Sequence, residues 1–267
     1  MGSFPYAIIN GERRRSNISI SVVFFAIVGA VLGSFSCAAG MNTGGYWHRR
    51  RSVCDSCGRE LRVYELIPIL SYLMLRGRCS SCGARIPRIC LAAEVYGAVL
   101  GGAAGYVYEG LWLELAIAML VLTAVIVQTV TDIREGMLYD WASWLVLGAG
   151  CMYRGFIFWS SGFTDWSCVM SGLIGIGLAA VFYGGLHLLG GMGSGDILLS
   201  AGFGALIGGW GIYFMTLTAS VVTLTAVGCL WFMGRLKPKG GSRVAFGPGL
   251  CLAGYSVFLI QSYFQVV

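Results

Sequence analysis

Apolar runs of about twenty residues recur along this chain, and they constrain its fold more than any other feature. A helix needs roughly 20 apolar residues to cross the hydrocarbon core of a bilayer. Within lipid every backbone N–H and C=O must be satisfied inside the chain, so runs of this length fold as helices. They cover residues 18–41, 89–108, 111–131, 141–159, 168–189, 197–209, 210–233 and 246–267. The sixth is short for a full span and is expected to be tilted or partial. Of 267 residues, 57% are hydrophobic and 11% charged, whereas a soluble domain carries about 25% charged residues. The expected fold class is an all-α polytopic membrane protein, with about eight transmembrane helices embedded in the lipid bilayer and a small segment outside it.

The chain divides into an N-terminal segment with the first helix (1–41), a polar segment (42–88) and a membrane core (89–267). The first 17 residues are polar and include Arg13-Arg14-Arg15. The apolar run after them is long enough to remain in the membrane, so no cleavable signal peptide is expected. The net charge of +6 is spread over loops and reads as topology, not nucleic-acid binding. Segment 42–88 holds nine arginines: Arg49, Arg50, Arg51, Arg59, Arg62, Arg76, Arg78, Arg85 and Arg88. With that segment in the cytoplasm, alternation puts 132–140, 190–196 and 234–244 on the same side. Those loops add Arg134, Arg235, Lys237, Lys239 and Arg243. Fourteen basic residues then face the cytoplasm, and Arg13, Arg14, Arg15 and Arg154 face away, as do the acids Glu109 and Asp165.

Four of the ten cysteines form two CxxC pairs, Cys54/Cys57 and Cys79/Cys82, each followed by glycine, at Gly58 and Gly83. Paired knuckles of this kind read as a tetrahedral zinc site. Redox dithiols or structural disulfides are the alternatives, and a cytoplasmic position favours thiolates and metal. Such a zinc would be structural, because four cysteines leave no open coordination position. A segment this small builds little core, so metal would supply much of its folding energy. Between the knuckles, 64–73 is apolar for a loop. It rests on the membrane surface or the helices, or else forms the core of a small zinc domain. Cys37, Cys90, Cys151, Cys168, Cys229 and Cys251 lie in or beside apolar runs and read as small core residues.

Two acids stand out. Asp196 follows glycines at 191, 193 and 195 and precedes an apolar stretch; Asp132 ends the run 111–131. A carboxylate at membrane depth is costly and points to function. Glycines let the backbone approach a neighbour or a substrate closely. If the two runs pack together, the carboxyls can face each other and share a proton. The other reading is two unrelated helix-end acids at the water interface. Asp140 is expected as a helix N-cap, Glu94 as the partner of an arginine in the polar segment, and His187 as a hydrogen-bonded packing residue. Gly172, Gly175 and Gly177 read as helix-packing glycines. A proton-coupled transporter could use the same two carboxylates, although no inverted repeat is visible.

Several motifs, in this order, resemble the prepilin peptidases, the type IV leader peptidases of bacteria. They are Gly33-Ser34-Phe35, the four-cysteine segment with Glu65-Leu66-Ile67-Pro68 and Arg76-Gly77-Arg78-Cys79, Asp132, Gly193-Ser194-Gly195-Asp196, and Phe246-Gly247-Pro248. The resemblance implies an aspartic endopeptidase of the bacterial cytoplasmic (inner) membrane whose active site faces the cytoplasm. It would cut the basic leader of prepilins or pseudopilins after a glycine. It also implies Asp132 and Asp196 as the catalytic pair, and methylation of the new N-terminus from S-adenosylmethionine. The chain departs from the pattern at three places. Ser36-Cys37 stands where bifunctional members have Leu-Asn, Leu138-Tyr139 where the family has Ile-Pro, and Leu198 where a lysine is usual.

Overall fold

The structure, a computed structural model, describes residues 11–41, 52–54, 56–234 and 245–266. Arg49, Arg50 and Arg51, and Arg235, Lys237, Lys239 and Arg243 of the charge argument, lie outside these residues. Eight α-helices are described: α1 (Gly11–Met41), α2 (Leu70–Met74), α3 (Arg88–Val107), α4 (Trp112–Glu135), α5 (Asp140–Ser160), α6 (Trp166–Leu188), α7 (Ser194–Phe232) and α8 (Gly247–Val266). Five stretches are long and apolar enough to cross a membrane: Ile20–Gly40, Arg88–Val107, Trp112–Glu135, Trp166–Leu188 and Ser194–Phe232. Large apolar side chains stand exposed along them, among them Phe24, Ile27 and Phe35 on α1 and Leu173, Leu178 and Val181 on α6. Exposed apolar surface on this scale suits lipid, not water. The protein is an all-α polytopic membrane protein.

The chain forms two compact units, Met1–Val130 with Val266–Val267, and Thr131–Gln265. In the first, α1 and α3 pack antiparallel along glycines. Gly29 lies against the backbone of Gly97, Gly33 against that of Ala93, and Gly101 against Phe25 and Gly29. The Ser21 hydroxyl donates to Gly105 O at 3.1 Å. Small residues let helices approach where lipid offers no hydrophobic drive to associate. The register ends with Cys37 on α1 and Cys90 on α3, their Sγ atoms 2.9 Å apart. Cys37, Cys168 and Cys251 are buried as expected, but Cys151 and Cys229 are exposed and are not core residues.

In the second unit, the first leg of α7 is the packed centre. A 39-residue helix would run roughly 58 Å, about twice the hydrocarbon thickness. It breaks at Gly208 (φ 72°, ψ −177°), close to the expected junction of the sixth and seventh runs. Residues 199–208 before the break are all buried. Gly175 of α6 meets the backbone of Gly204, and Gly150 of α5 has Leu206 N within 3.0 Å of where its Cβ would stand. Gly254 of α8 sits against the Phe203 ring. The break frees carbonyls at the end of the leg, and Arg154 of α5 takes them. Its Nε donates to Ala205 O at 3.0 Å and its Nη2 to Leu206 O at 2.7 Å. A cation at a helix C-terminus also complements the helix dipole.

Candidate functional site

The chain reaches Asp196 through a tight stop and restart. α6 ends in a Schellman motif: Gly190 N–H donates to His187 O and Gly191 N–H to Leu186 O. Gly190 takes φ 75°, which glycine adopts at no steric cost. His187 Nδ1 bonds Met192 O at 2.8 Å, so the expected hydrogen bond is present and holds this turn, but the imidazole is exposed and not packed. α7 then starts with Gly193 extended at its N-cap. Asp196 stands on the third helical residue, and its Oδ2 accepts the Gly193 N–H at 3.1 Å. An acid in this position satisfies an otherwise unpaired N–H and meets the positive end of the helix.

Asp132 arrives differently. The run 111–131 was expected to give way to a turn at Asp132, but α4 continues to Glu135 and Asp132 sits in its last turn. The residue is 8% exposed. Its Oδ2 accepts the N–H of Gly247, the first residue of α8, at 2.9 Å. Both acids therefore lie at a helix N-terminus and accept a glycine N–H. Two further glycines are needed for close approach. A Cβ on Gly247 would stand 2.6 Å from Asp132 Oδ2 and 3.0 Å from Leu138 Cδ2; one on Gly195 would stand 2.9 Å from Leu138 Cβ. Leu138 thus fills the space beside the starts of α7 and α8. Asp132 and Asp196 are close enough for their charges to act on one another. Two such carboxyls can hold one proton between them and pass it on.

Other expectations need correction. Asp140 is the first residue of α5 and exposed, with Tyr139 at the N-cap. Among the described residues Glu94 has no arginine partner: it is buried on α3, and its Oε2 accepts the Ile69 N–H at 2.6 Å. Of the glycines before Asp196, only Gly195 makes a tight approach. Sequence reasoning missed Leu138 as a spacer and Gly247 as a donor. It also missed Tyr183, a fully buried phenol that bonds Thr216 Oγ1 at 3.0 Å within electrostatic reach of Asp196.

The four cysteines of the CxxC pairs come together as one cluster, with all four Sγ atoms within 4.8 Å of one another. Each pair forms the same small hairpin. Gly58 N–H donates to Cys54 O and Gly83 N–H to Cys79 O, both glycines at positive φ. The isolated bridges Val53↔Glu60 and Arg78↔Arg85 close them. A tetrahedral metal with bonds of about 2.3 Å to sulfur needs sulfurs roughly 3.8 Å apart, and Cys54 and Cys82 Sγ are 3.9 Å apart. Backbone N–H groups of Cys82 and Ser81 pull the Cys79 thiol down to about 6, so a thiolate forms readily there. A buried strut joins the two hairpins. Glu65 accepts from Arg59 Nη2 at 2.8 and 2.9 Å, from Arg62 N–H at 2.7 Å and from the Ser80 hydroxyl at 2.5 Å. The Arg59 guanidinium above all, then those two further donors, hold its carboxyl at about 2. The cluster could hold a metal ion, and its donor set suits zinc.

These features define a polytopic helical membrane protein with paired carboxyls in its bundle and a four-thiolate segment. Residues 27–108 match the family model described as the Bacterial Peptidase A24 N-terminal domain. The chain is 33% identical over 217 residues to a prepilin leader peptidase/N-methyltransferase of Pseudomonas aeruginosa, covering 78% of this chain and 71% of that one. It is 30% identical over 256 residues to a protein of the same description in Bacillus subtilis, covering 90% and 94%. A type 4 prepilin-like proteins leader peptide-processing enzyme of Escherichia coli is 30% identical over 225 residues, covering 80% and 77%. The chain belongs to the prepilin leader peptidase/N-methyltransferase family. No solved structure matches it.

Proposed function

We propose that this protein is a prepilin leader peptidase of the bacterial cytoplasmic membrane, with Asp132 and Asp196 as its acid–base pair. The observation that carries the reading is that the two acids lie within electrostatic reach of one another, each at a helix start and bonded to a glycine N–H. One carboxyl is ionised and takes a proton from a water as it attacks the scissile carbonyl. The other is protonated and donates to the developing oxyanion or the leaving amine. The proton belongs to the pair, so neither role is assigned to one acid. The substrate is a prepilin or pseudopilin, its apolar helix among the membrane helices and its basic leader in the cytoplasm. The protein is organised as 1–41, a metal-binding segment 42–88 and a peptidase core 89–267, with the site facing the cytoplasm.

Cys54, Cys57, Cys79 and Cys82 hold one structural zinc, which crosslinks the two hairpins when bound. N-methylation of the product belongs to the relatives' descriptions. The apolar grooves along α1 and α3 offer Tyr106 in one and Arg88 and Tyr96 in the other, with no acidic side chain to meet the cationic groups of S-adenosylmethionine. No observation favours the transporter reading.

Purified protein in detergent, given a prepilin and no gradient, tests the proposal. Asp132→Asn and Asp196→Asn should each lower cleavage by about 10³-fold or more, with the double variant little worse. Asp140→Asn, at an exposed position, should stay within about two-fold of wild type. Near-normal cleavage by either single variant would refute the pair.

A further inference from the structure

The stretch between the two cysteine hairpins is not the core of a small domain. Of residues 63–66 only Glu65 is buried. Val63, Leu66, Ile67, Leu70, Leu73 and Met74 are exposed, Leu73 by 62% and Met74 by 69%. Six large apolar side chains in twelve residues would be a liability in water. The chain reverses between them in a γ-turn: Leu70 N–H donates to Pro68 O at 2.5 Å across Ile69, which takes φ 62°, ψ −50°. This turn is rare and strained, the more so for a β-branched residue. It is held by Glu94, whose Oε2 accepts the Ile69 N–H at 2.6 Å.

That bond fixes how deep the stretch lies. α3 has 20 residues from Arg88 to Val107, about 30 Å, just enough to cross the hydrocarbon core. Glu94 is six residues in from Arg88, roughly 9 Å along the axis. With Arg88 at the headgroups, Ile69 and its neighbours reach the acyl boundary, where interfacial segments insert their apolar side chains. In the same segment Arg62, Arg76, Arg78, Arg85 and Arg88 are exposed, against a single exposed acid in its described part, Glu60. An apolar groove of ≈ 510 Å³, lined by Leu91, Val95, Tyr96 and Val99, runs along α3 with Arg88 among its lining residues. Its composition suits an acyl chain below an anionic headgroup.

We propose that residues 63–74 form a wedge inserted into an anionic leaflet, with the surrounding arginines on lipid phosphates. The wedge anchors the metal-binding segment at a fixed height on the membrane. The inference rests on the membrane span α3 and the Glu94–Ile69 bond, not on the peptidase reading.

Photo-crosslinking of the full chain in lipid nanodiscs tests it. p-Benzoylphenylalanine replaces Leu73 or Met74, with Leu70 and Leu66 as substitutes should a variant fail to accumulate. Leu173 on α6 is the lipid-facing control, and Ser56 at an exposed hairpin tip is the water-facing control. In phosphatidylglycerol-containing discs the wedge positions should give lipid adducts within about two-fold of Leu173 and about ten-fold above Ser56. Discs of phosphatidylcholine alone should lower the wedge yield several-fold and leave Leu173 unchanged. Adducts at the Ser56 level overturn the proposal, as do crosslinks to added prepilin or to a second copy of the chain in place of lipid. Equal yields in both lipids overturn the anionic assignment.

Discussion

Gly247 and Gly195 carry little chemistry of their own, yet they set the space around the two acids. Alanine at 247 would place a methyl carbon 2.6 Å from Asp132 Oδ2 and force the carboxyl aside. Misplacement of a reacting group by about 1 Å can cost on the order of 10²-fold in rate. Gly247→Ala should therefore lower kcat by about 10- to 100-fold with the apparent melting midpoint nearly unchanged. A loss of fold in parallel with activity, seen in a detergent thermal scan, would contradict this. Glu94 makes a second residue-scale test. Glu94→Gln keeps an acceptor for the Ile69 N–H, whereas Glu94→Leu leaves it unpaired at a cost of about 1–3 kcal/mol. Limited proteolysis of 63–74 should stay slow in the first variant and speed up in the second. Glu65 gives a pH signature. Arg59 and the Arg62 and Ser80 donors lower it to about 2, below the ordinary carboxylate value of 4.5, so its contribution is complete above the unfolded value. It is lost as pH falls from there towards 2. The stability gap between wild type and Glu65→Gln should therefore be widest near neutrality and narrow progressively as pH falls from about 4.5 towards 2.

The cysteine hairpins and the broken α7 are both elements that cannot hold themselves. Each hairpin is one turn closed by a single bridge and the Glu65 strut is their polar link, so a bound metal would supply much of the segment's stability. Elemental analysis should find one zinc per chain. Cys57→Ser should lower zinc retention against a chelator more than Ser56→Ala. Zinc well below one equivalent with all four thiols titrating would remove the assignment. In α7 the break at Gly208 leaves Ala205 and Leu206 carbonyls to Arg154. Arg154→Met should destabilise the protein by about 1–3 kcal/mol, because buried acceptors lose their donor. Arg154→Lys, with one cationic centre in place of a planar fork, should recover only part of that loss. Unfolding in mixed micelles by dodecyl sulfate measures both.

Across the whole molecule, charge asymmetry orients the helices. A split of fourteen basic residues against four predicts Cys57 and Lys239 in the cytoplasm, with Glu109 and Asp165 outside. Glu109→Cys and Asp165→Cys, in a background without the native reactive thiols, should react with an impermeant reagent on intact cells, and Lys239→Cys should not. The reverse pattern would invert the topology. Mass spectrometry of the cleaved product decides the relatives' second activity: a methyl increment in the presence of donor is the expected result.

The sequence alone determined what is encoded locally. Apolar run lengths specified helices because lipid tolerates no other backbone for them. CxxC spacing specified the four-cysteine cluster, and the two acids stood out because charge is rare in such runs. Only the tertiary structure decided what joins residues far apart in the chain. Gly247 donates to Asp132 across 115 positions, and Arg154 reaches the break of α7 across 51 and 52. Ile69 finds Glu94 across 25. No local period records such bonds, because a backbone N–H or C=O is the same group in every residue. Which one is left unpaired depends on where helices stop, break and meet.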